Sequence, residues 1–265
     1  MNKERFTVTL RPELLKKLDG IIDGEKIRSR SHAVEYLLSQ ALSYKITNKV
    51  LILAGGRGFE YGSDGIPNLE QTLTRLATQG FTQIIISISR SGESIVERLG
   101  DGSSMGLKIT YIKQTGERPG TAQPLIQARE YLGEEPFILI YGDVLTDINF
   151  ADLLDFHHAQ RGSACTMALT SADNVSMWGL ARLVGSRITE YEEKPVTPKT
   201  KSHLVNAGIY VMEPGIFSFI KRDAVKLESE VFPRLAEESR LSGYPFEGQW
   251  MDITAVPQAH QGTIR

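Results

Sequence analysis

The sequence predicts an α/β protein: a small strand–helix–helix head, then a mostly parallel sheet covered by helices on both faces. Three observations carry this. From residue 50 onward, short apolar runs alternate with helical periodicities, the rhythm of parallel strands joined by crossover helices. The first of these runs ends in a glycine-rich turn, where open sheets of this kind take ligands. The first 45 residues differ in both pattern and charge. Residues 1–46 are therefore read as one domain and 47–265 as a second, with the polar link Lys45-Ile46-Thr47-Asn48 at the junction.

Composition narrows the class. Hydrophobic residues make up 41% of the 265 and charged residues 23%, a globular balance that excludes long disorder. No apolar run approaches the ~18 residues of a membrane span, and the polar start Met1-Asn2-Lys3-Glu4-Arg5 is unlike a signal peptide. Cys165 is the single cysteine, which rules out a disulfide framework and a cysteine-based zinc site. A cytoplasmic protein without membrane contact is expected. Residues 1–48 hold nine Lys/Arg against six Asp/Glu, a net of +3, while the remainder holds 21 against 26. A basic head on an acidic body suggests a polyanionic partner for the head.

In the head, Arg5-Phe6-Thr7-Val8-Thr9-Leu10 alternates strictly, placing Phe6, Val8 and Leu10 on one side and Arg5, Thr7 and Thr9 on the other. Pro12 suits the first turn of a helix, with Glu13 beside it favouring the N-terminal dipole. Leu14, Leu15, Leu18, Ile21 and Ile22 follow at helical spacing until Gly24. A second helix begins near Ser29 or Ser31 and carries the stripe Ala33, Val34, Leu37, Leu38, Ala41 and Leu42. So short a unit cannot bury three apolar faces, and a lone strand leaves its edges open, so two copies are expected to pair. Residues 4–43 resemble the ribbon-helix-helix DNA-binding family. The resemblance implies a homodimer, or a higher homo-oligomer, that lays a two-stranded ribbon in the major groove of double-stranded DNA. Arg5, Thr7 and Thr9 would then read bases, and the amides near Arg30 and Ser31 would hold a backbone phosphate.

The second segment predicts strands at Val50–Ala54, Gln83–Ile88, Leu107–Ile112 and Phe137–Tyr141, with a helix marked by Leu69, Leu73 and Leu76 after the first. The turn Leu53-Ala54-Gly55-Gly56-Arg57-Gly58 brings backbone amides close to any phosphate above it. It is not a Walker loop, because no Gly-Lys-Ser/Thr follows. Further along stand Gln114 with Gly120-Thr121-Ala122, then Tyr141-Gly142-Asp143, Trp178-Gly179 and Glu192-Glu193-Lys194-Pro195. Asn206-Ala207-Gly208-Ile209-Tyr210 and Trp250-Met251-Asp252 complete the set.

In that order these pieces resemble the sugar-1-phosphate nucleotidyltransferases across about residues 49–258. The resemblance implies a Rossmann-like nucleotidyltransferase domain whose Gly55, Gly56 and Gly58 cradle phosphates. Gln114, Gly120 and Thr121 would lie at the base, and Asp143 with Asp252 would hold Mg²⁺, a hard ion that prefers oxygen. Gly142, Gly179, Glu193, Asn206 and Gly208 would line the sugar site, with Lys194 on the sugar phosphate.

The pattern departs from the family at two positions. Where the resemblance implies an Arg after the glycine loop and a Lys about ten residues later, this chain has Glu60 and Asn68. Phosphoryl transfer depends on electrostatic stabilisation, and one lost stabiliser costs ~10²–10³ in rate. With no catalytic residue retained at these two positions, the expectation is a DNA-binding regulator. Its nucleotidyltransferase-like body would sense a nucleotide, sugar nucleotide or sugar phosphate without turning it over. The alternative is an active sugar-1-phosphate nucleotidyltransferase whose head serves to dimerise.

Overall fold

The computed structural model describes residues 7–22, 27, 29–31, 33–34, 37–38, 48–56, 66–90, 92–115 and 120–254. The chain divides into two compact units, Met1–Ile46 and Thr47–Arg265. Among the described residues no helix is long and apolar enough to cross a membrane.

In the first unit, helix α1 spans Pro12–Asp19, with Pro12 in its first turn and Glu13 at its N-terminal end. Its end is marked by Gly20, whose N–H reaches the Lys16 carbonyl at 3.2 Å. Residues 30, 31, 33, 34, 37 and 38 are helical. Leu18, Ile27 and Ala33 form the buried cluster, with Leu10, Leu15, Ile21, Ile22 and Val34 packed against it. The ribbon strand expected over residues 5–10 is not found at Thr7, Val8, Thr9 and Leu10, which have no strand pairing; an isolated strand has no ladder to join within one chain. Arg5 lies outside the described residues.

The second unit is built on a nine-stranded sheet. Strands β1 (Lys49–Ala54), β2 (Gln83–Ile88), β3 (Lys108–Lys113) and β4 (Phe137–Tyr141) are followed by β6 (Cys165–Ser171), β7 (Gly179–Val184), β8 (Arg187–Glu193), β9 (Leu204–Met212) and β10 (Leu241–Pro245). Their order is β3-β2-β1-β4-β9-β6-β10-β8-β7. The first four are parallel, with Ile52 beside Ile86 and Ile140. Beyond them the sheet is mixed, which corrects the expectation of a mostly parallel one: β9 runs antiparallel to both β4 and β6, and β7 to β8. The tight turn through Gly185, at φ +60°, links β7 and β8 directly and so reverses the chain. No helical crossover intervenes there, and parallel pairing of neighbours requires one.

Helices cover both faces. On one side, α2 (Ile66–Thr78) buries Leu69, Leu73 and Leu76 fully against Val50, Ile52, Ile84, Ile86 and Ile140. The short α3 (Glu93–Leu99) and α5 (Phe150–Ala159) share this core, and Asn149 caps α5 by accepting from the Ala151 and Asp152 amides. On the other side, α4 (Ala122–Leu132), α6 (Leu227–Glu230) and α7 (Phe232–Glu237) pack on Leu51, Phe137, Leu139 and Tyr210. Near-continuous apolar runs such as Ile84–Ile86 follow from this burial on two faces. A separate two-stranded ribbon pairs β5 (Val144–Thr146) with β11 (Trp250–Asp252).

Candidate active site

The site gathers where β1, β2, β4 and β9 end or turn. Gly55 follows β1, and a Cβ there would stand 2.1 Å from Gln114 Nε2. Gln114 leaves β3 with its amide bonded to the Ile88 carbonyl and its side chain reaching Ser87 Oγ at 3.2 Å. Glycine at 55 therefore makes room for Gln114. Gly56 faces open space. Gly58 and Glu60, with Arg57, lie outside the described residues, and Asn68 stands half-buried in the first turn of α2.

Gly120 approaches the chain at Val225 so closely that a Cβ would lie 2.1 Å from that carbonyl oxygen. The next turn is stitched to the same segment. The Ala122 N–H donates to the Val225 carbonyl at 3.0 Å. The Thr121 hydroxyl accepts from the Leu227 N–H at 2.9 Å and donates to Glu228 Oε2 at 2.7 Å.

Asp143 and Asp252 are brought together by the β5–β11 ribbon, in which Asp252 is registered with Val144. The Ile253 N–H donates to the Asp143 carbonyl at 2.9 Å. Gly142 holds this corner to β1 through its N–H on the Leu53 carbonyl at 3.0 Å. Burial first, then the neighbouring negative charges of Asp252 and Glu228, push the Asp143 carboxyl up to about 6. Asp252 accepts from the Thr254 N–H and hydroxyl at 2.8 and 2.6 Å.

The expected sugar-site residues surround Tyr191. Its hydroxyl donates to Glu193 Oε2 at 3.0 Å and accepts from Asn206 Nδ2 at 3.2 Å. Asn206 Oδ1 in turn accepts from the Gly208 N–H at 3.0 Å. Gly179 is registered with Glu193 across β7 and β8, and a Cβ on it would lie 1.9 Å from the Tyr191 hydroxyl. Gly208 has φ +73°, a conformation glycine adopts without penalty. Lys194 adopts φ +46° with its N–H on the Trp178 carbonyl at 3.0 Å. Burial, then Glu228, raises the Glu193 carboxyl, while the Tyr191 hydrogen bond and Lys194 oppose the rise. Trp178 and Trp250 meet edge to face at 5.0 Å, and the Trp250 indole donates to the Ala207 carbonyl.

Among the described candidates of the second unit, Thr121, Asp143 and Glu193 are linked through Glu228, and Asp252 and Lys194 act on Asp143; Gly179 and Asn206 meet Tyr191, Gly208 meets Asn206, and Gly55 makes room for Gln114. Four participants escaped the sequence reading as site residues: Tyr141, Tyr191, Tyr210 and Glu228. Tyr141 and Tyr210 stood inside the motifs but looked like strand core. Glu228 had no signal, because a lone acidic residue in a four-residue helix reads as surface.

A carboxyl whose proton affinity is raised by burial and by a neighbouring carboxylate suits a divalent cation. Among the described residues no cluster of three His, Cys, Asp or Glu is placed to hold a metal. Mg²⁺ is commonly held by one or two carboxylates plus water and substrate phosphates, so Asp143 and Asp252 fit it.

The family model for nucleotidyl transferases matches residues 59–261. The chain belongs to that family. It is 32% identical over 236 residues to a mannose-1-phosphate guanyltransferase of Candida albicans, covering 81% of this chain and 63% of that protein. The same-named Saccharomyces cerevisiae protein is 30% identical over 236 residues, covering 82% of this chain and 64% of that one. The chain spans about three fifths of the length of these relatives. Its fold matches a Bacillus anthracis protein crystallised with sucrose at TM-score 0.69, with 24% identity over 77% of this chain and 89% of that one. It also matches HddC of Yersinia pseudotuberculosis complexed with GMP-PN at TM-score 0.63, with 21% identity over 77% and 93%.

These relatives overturn the expectation of an inactive, DNA-binding regulator. They carry the names of metabolic enzymes, and the likeness extends over most of this chain. Glu60 and Asn68 therefore do not mark the body as a pseudoenzyme: lost stabilisers lower a rate and leave the rest of a site intact. The readings of Thr7, Thr9, Arg30 and Ser31 as DNA contacts fall with the regulator. Arg30 gives its guanidinium to Asp19 in two hydrogen bonds of 2.6 and 2.8 Å, so its charge is already paired.

Proposed function

We propose that the chain is a sugar-1-phosphate nucleotidyltransferase that joins mannose 1-phosphate to GTP, forming GDP-mannose and releasing pyrophosphate. The observation that supports it is the meeting of Asp143 and Asp252 with the Glu193–Lys194 corner in one cleft, in a chain whose relatives are named guanyltransferases. An oxygen of the sugar phosphate attacks the α-phosphorus, and the bond to pyrophosphate breaks. Lys194 holds the attacking phosphate, and Glu193 and Asn206, fixed through Tyr191, bind sugar hydroxyls. Gln114 and the Gly120–Thr121 turn seat the base. Asp143 and Asp252 would hold Mg²⁺, which would neutralise phosphate charge. The test is pyrophosphate release with Mg²⁺ over a panel of nucleoside triphosphates and sugar 1-phosphates. GTP with mannose 1-phosphate should give the highest kcat/KM, Asp143→Ala should abolish it, and Lys194→Ala should raise the KM for sugar phosphate. No turnover with any pair refutes the reading.

For the first unit the reading is a homodimer. Val8, Leu14, Leu37 and Leu38 are 41–53% exposed, and among the described residues of the unit the buried apolar side chains are Leu18, Ile27 and Ala33, a small core for a unit of this length. A second copy of the chain is the proposed cover.

A further inference from the structure

Glu228 is almost fully buried, 9% exposed, in a cleft that already holds Asp143, Asp252 and Glu193. Its negative charge opposes the ionisation of both Asp143 and Glu193. A buried carboxylate with no cationic partner among the described ion pairs is costly to keep. What it gains is two hydroxyl donors from opposite edges of the cleft. Thr121, in the turn that precedes α4, donates to Oε2 at 2.7 Å. Tyr141, at the end of β4 and two residues before Asp143, donates to Oε1 at 2.5 Å. Each hydroxyl is itself fixed. Thr121 accepts from Leu227, and the Tyr141 ring packs on Tyr210 with centroids 5.4 Å apart. A carboxylate takes a charge-assisted bond on each oxygen, whereas an amide has one acceptor oxygen, so one hydroxyl must turn to accept from its NH2 and both bonds become neutral and weaker.

The geometry points to Glu228 as a positioning residue that sets the nucleotide edge of the cleft, at Gly120–Thr121, against the metal and sugar edge, at Tyr141–Asp143. This rests on the nucleotidyltransferase reading above, in which the two edges hold two substrates that must meet. It predicts a loss confined to ligands that span both edges. GDP-mannose spans them; GMP and mannose 1-phosphate each occupy one.

The experiment compares wild type, Glu228→Gln and Tyr141→Phe by calorimetry with these three ligands and Mg²⁺. It adds amide hydrogen exchange on the ligand-free proteins. Both variants should weaken GDP-mannose about tenfold while GMP and mannose 1-phosphate each change by less than about threefold. The double variant should lose no more than Glu228→Gln alone, because both act through one link. Exchange should rise together at Ala122 and Leu227 on one edge and at Gly142 and Ile253 on the other. Equal losses for all three ligands, unchanged GDP-mannose affinity, or exchange rising at one edge only would overturn the proposal. Wild type that fails to bind GDP-mannose refutes the substrate reading instead, and the exchange data on the free protein still decide whether Glu228 couples the edges.

Discussion

Asp143→Asn should make the protein more stable and inactive at once. In an unfolded chain an aspartate titrates near 3.8, and in the folded site Asp143 is pushed up to about 6, chiefly by burial and then by Asp252. The folded state therefore binds this proton more tightly than the unfolded state does. Below pH 4 both states hold the proton and the site costs nothing. Between pH 4 and 6 stability falls as pH rises, and above 6 the full penalty is in place. A rise of about two units corresponds to about 3 kcal/mol. Asparagine keeps the shape and never ionises. At pH 8 without metal, Asp143→Asn should melt on the order of 6–12 °C above wild type, at about 2–4 °C per kcal/mol for a domain of this size. At pH 4, close to the unfolded value, the gain should shrink to about 1–2 °C. Adding Mg²⁺ should raise the wild-type melting temperature, and that of the variant much less. Calorimetric melts at the two pH values decide it. No gain at pH 8, or an equal gain at pH 4, would show that Asp143 carries no electrostatic cost.

Three further outcomes follow from the geometry. Gly120→Ala drives a Cβ into the Val225 carbonyl oxygen, 2.1 Å away. It should cost about 1–3 kcal/mol in denaturant unfolding, whereas Gly56→Ala, facing open space, should leave unfolding unchanged. Asn68→Lys restores the cation that the family resemblance implies there, so kcat for pyrophosphate release should rise about 10-fold or more, and an unchanged kcat would remove position 68 from the transfer step. Leu37→Glu places a charge on an exposed apolar residue of the first unit; analytical ultracentrifugation should show monomers where wild type sediments as dimers, and a monomeric wild type would refute the dimer.

The parallel half of the sheet was legible because its strands are buried on both faces. Val50–Ala54, Gln83–Ile88 and Phe137–Tyr141 stand as apolar runs that no exposed segment would carry, and the structure places strands there. The antiparallel half was not. Gly179–Val184 and Arg187–Glu193 alternate buried and exposed residues only in part, and Arg187 and Glu190 break any apolar run. The paired aspartates were legible as motif pieces, but their meeting depends on the β5–β11 ribbon, whose three-residue strands have no periodicity to read. Glu228 was invisible for the same reason: its role comes from Thr121 and Tyr141, 107 and 87 residues away in sequence.

Two positions do not measure a whole mechanism. Glu60 and Asn68 bear on the charge that builds during transfer. In the proposed reading, seating the base, holding the metal and fixing the sugar would fall to other residues, of which Asp143 stands beside Asp252 and Glu193 is tied through Tyr191 to Asn206. Asp143 carries a raised proton affinity, and Glu228 adds a further buried negative charge, 9% exposed, beside it. Keeping both in an empty site is costly; Glu228 recovers part of that cost through the Thr121 and Tyr141 hydroxyls, and a cation at Asp143 would offset the rest. The raised proton affinity of Asp143 is therefore the cost that a cation held there would relieve, which is what the proposed metal-dependent transfer requires.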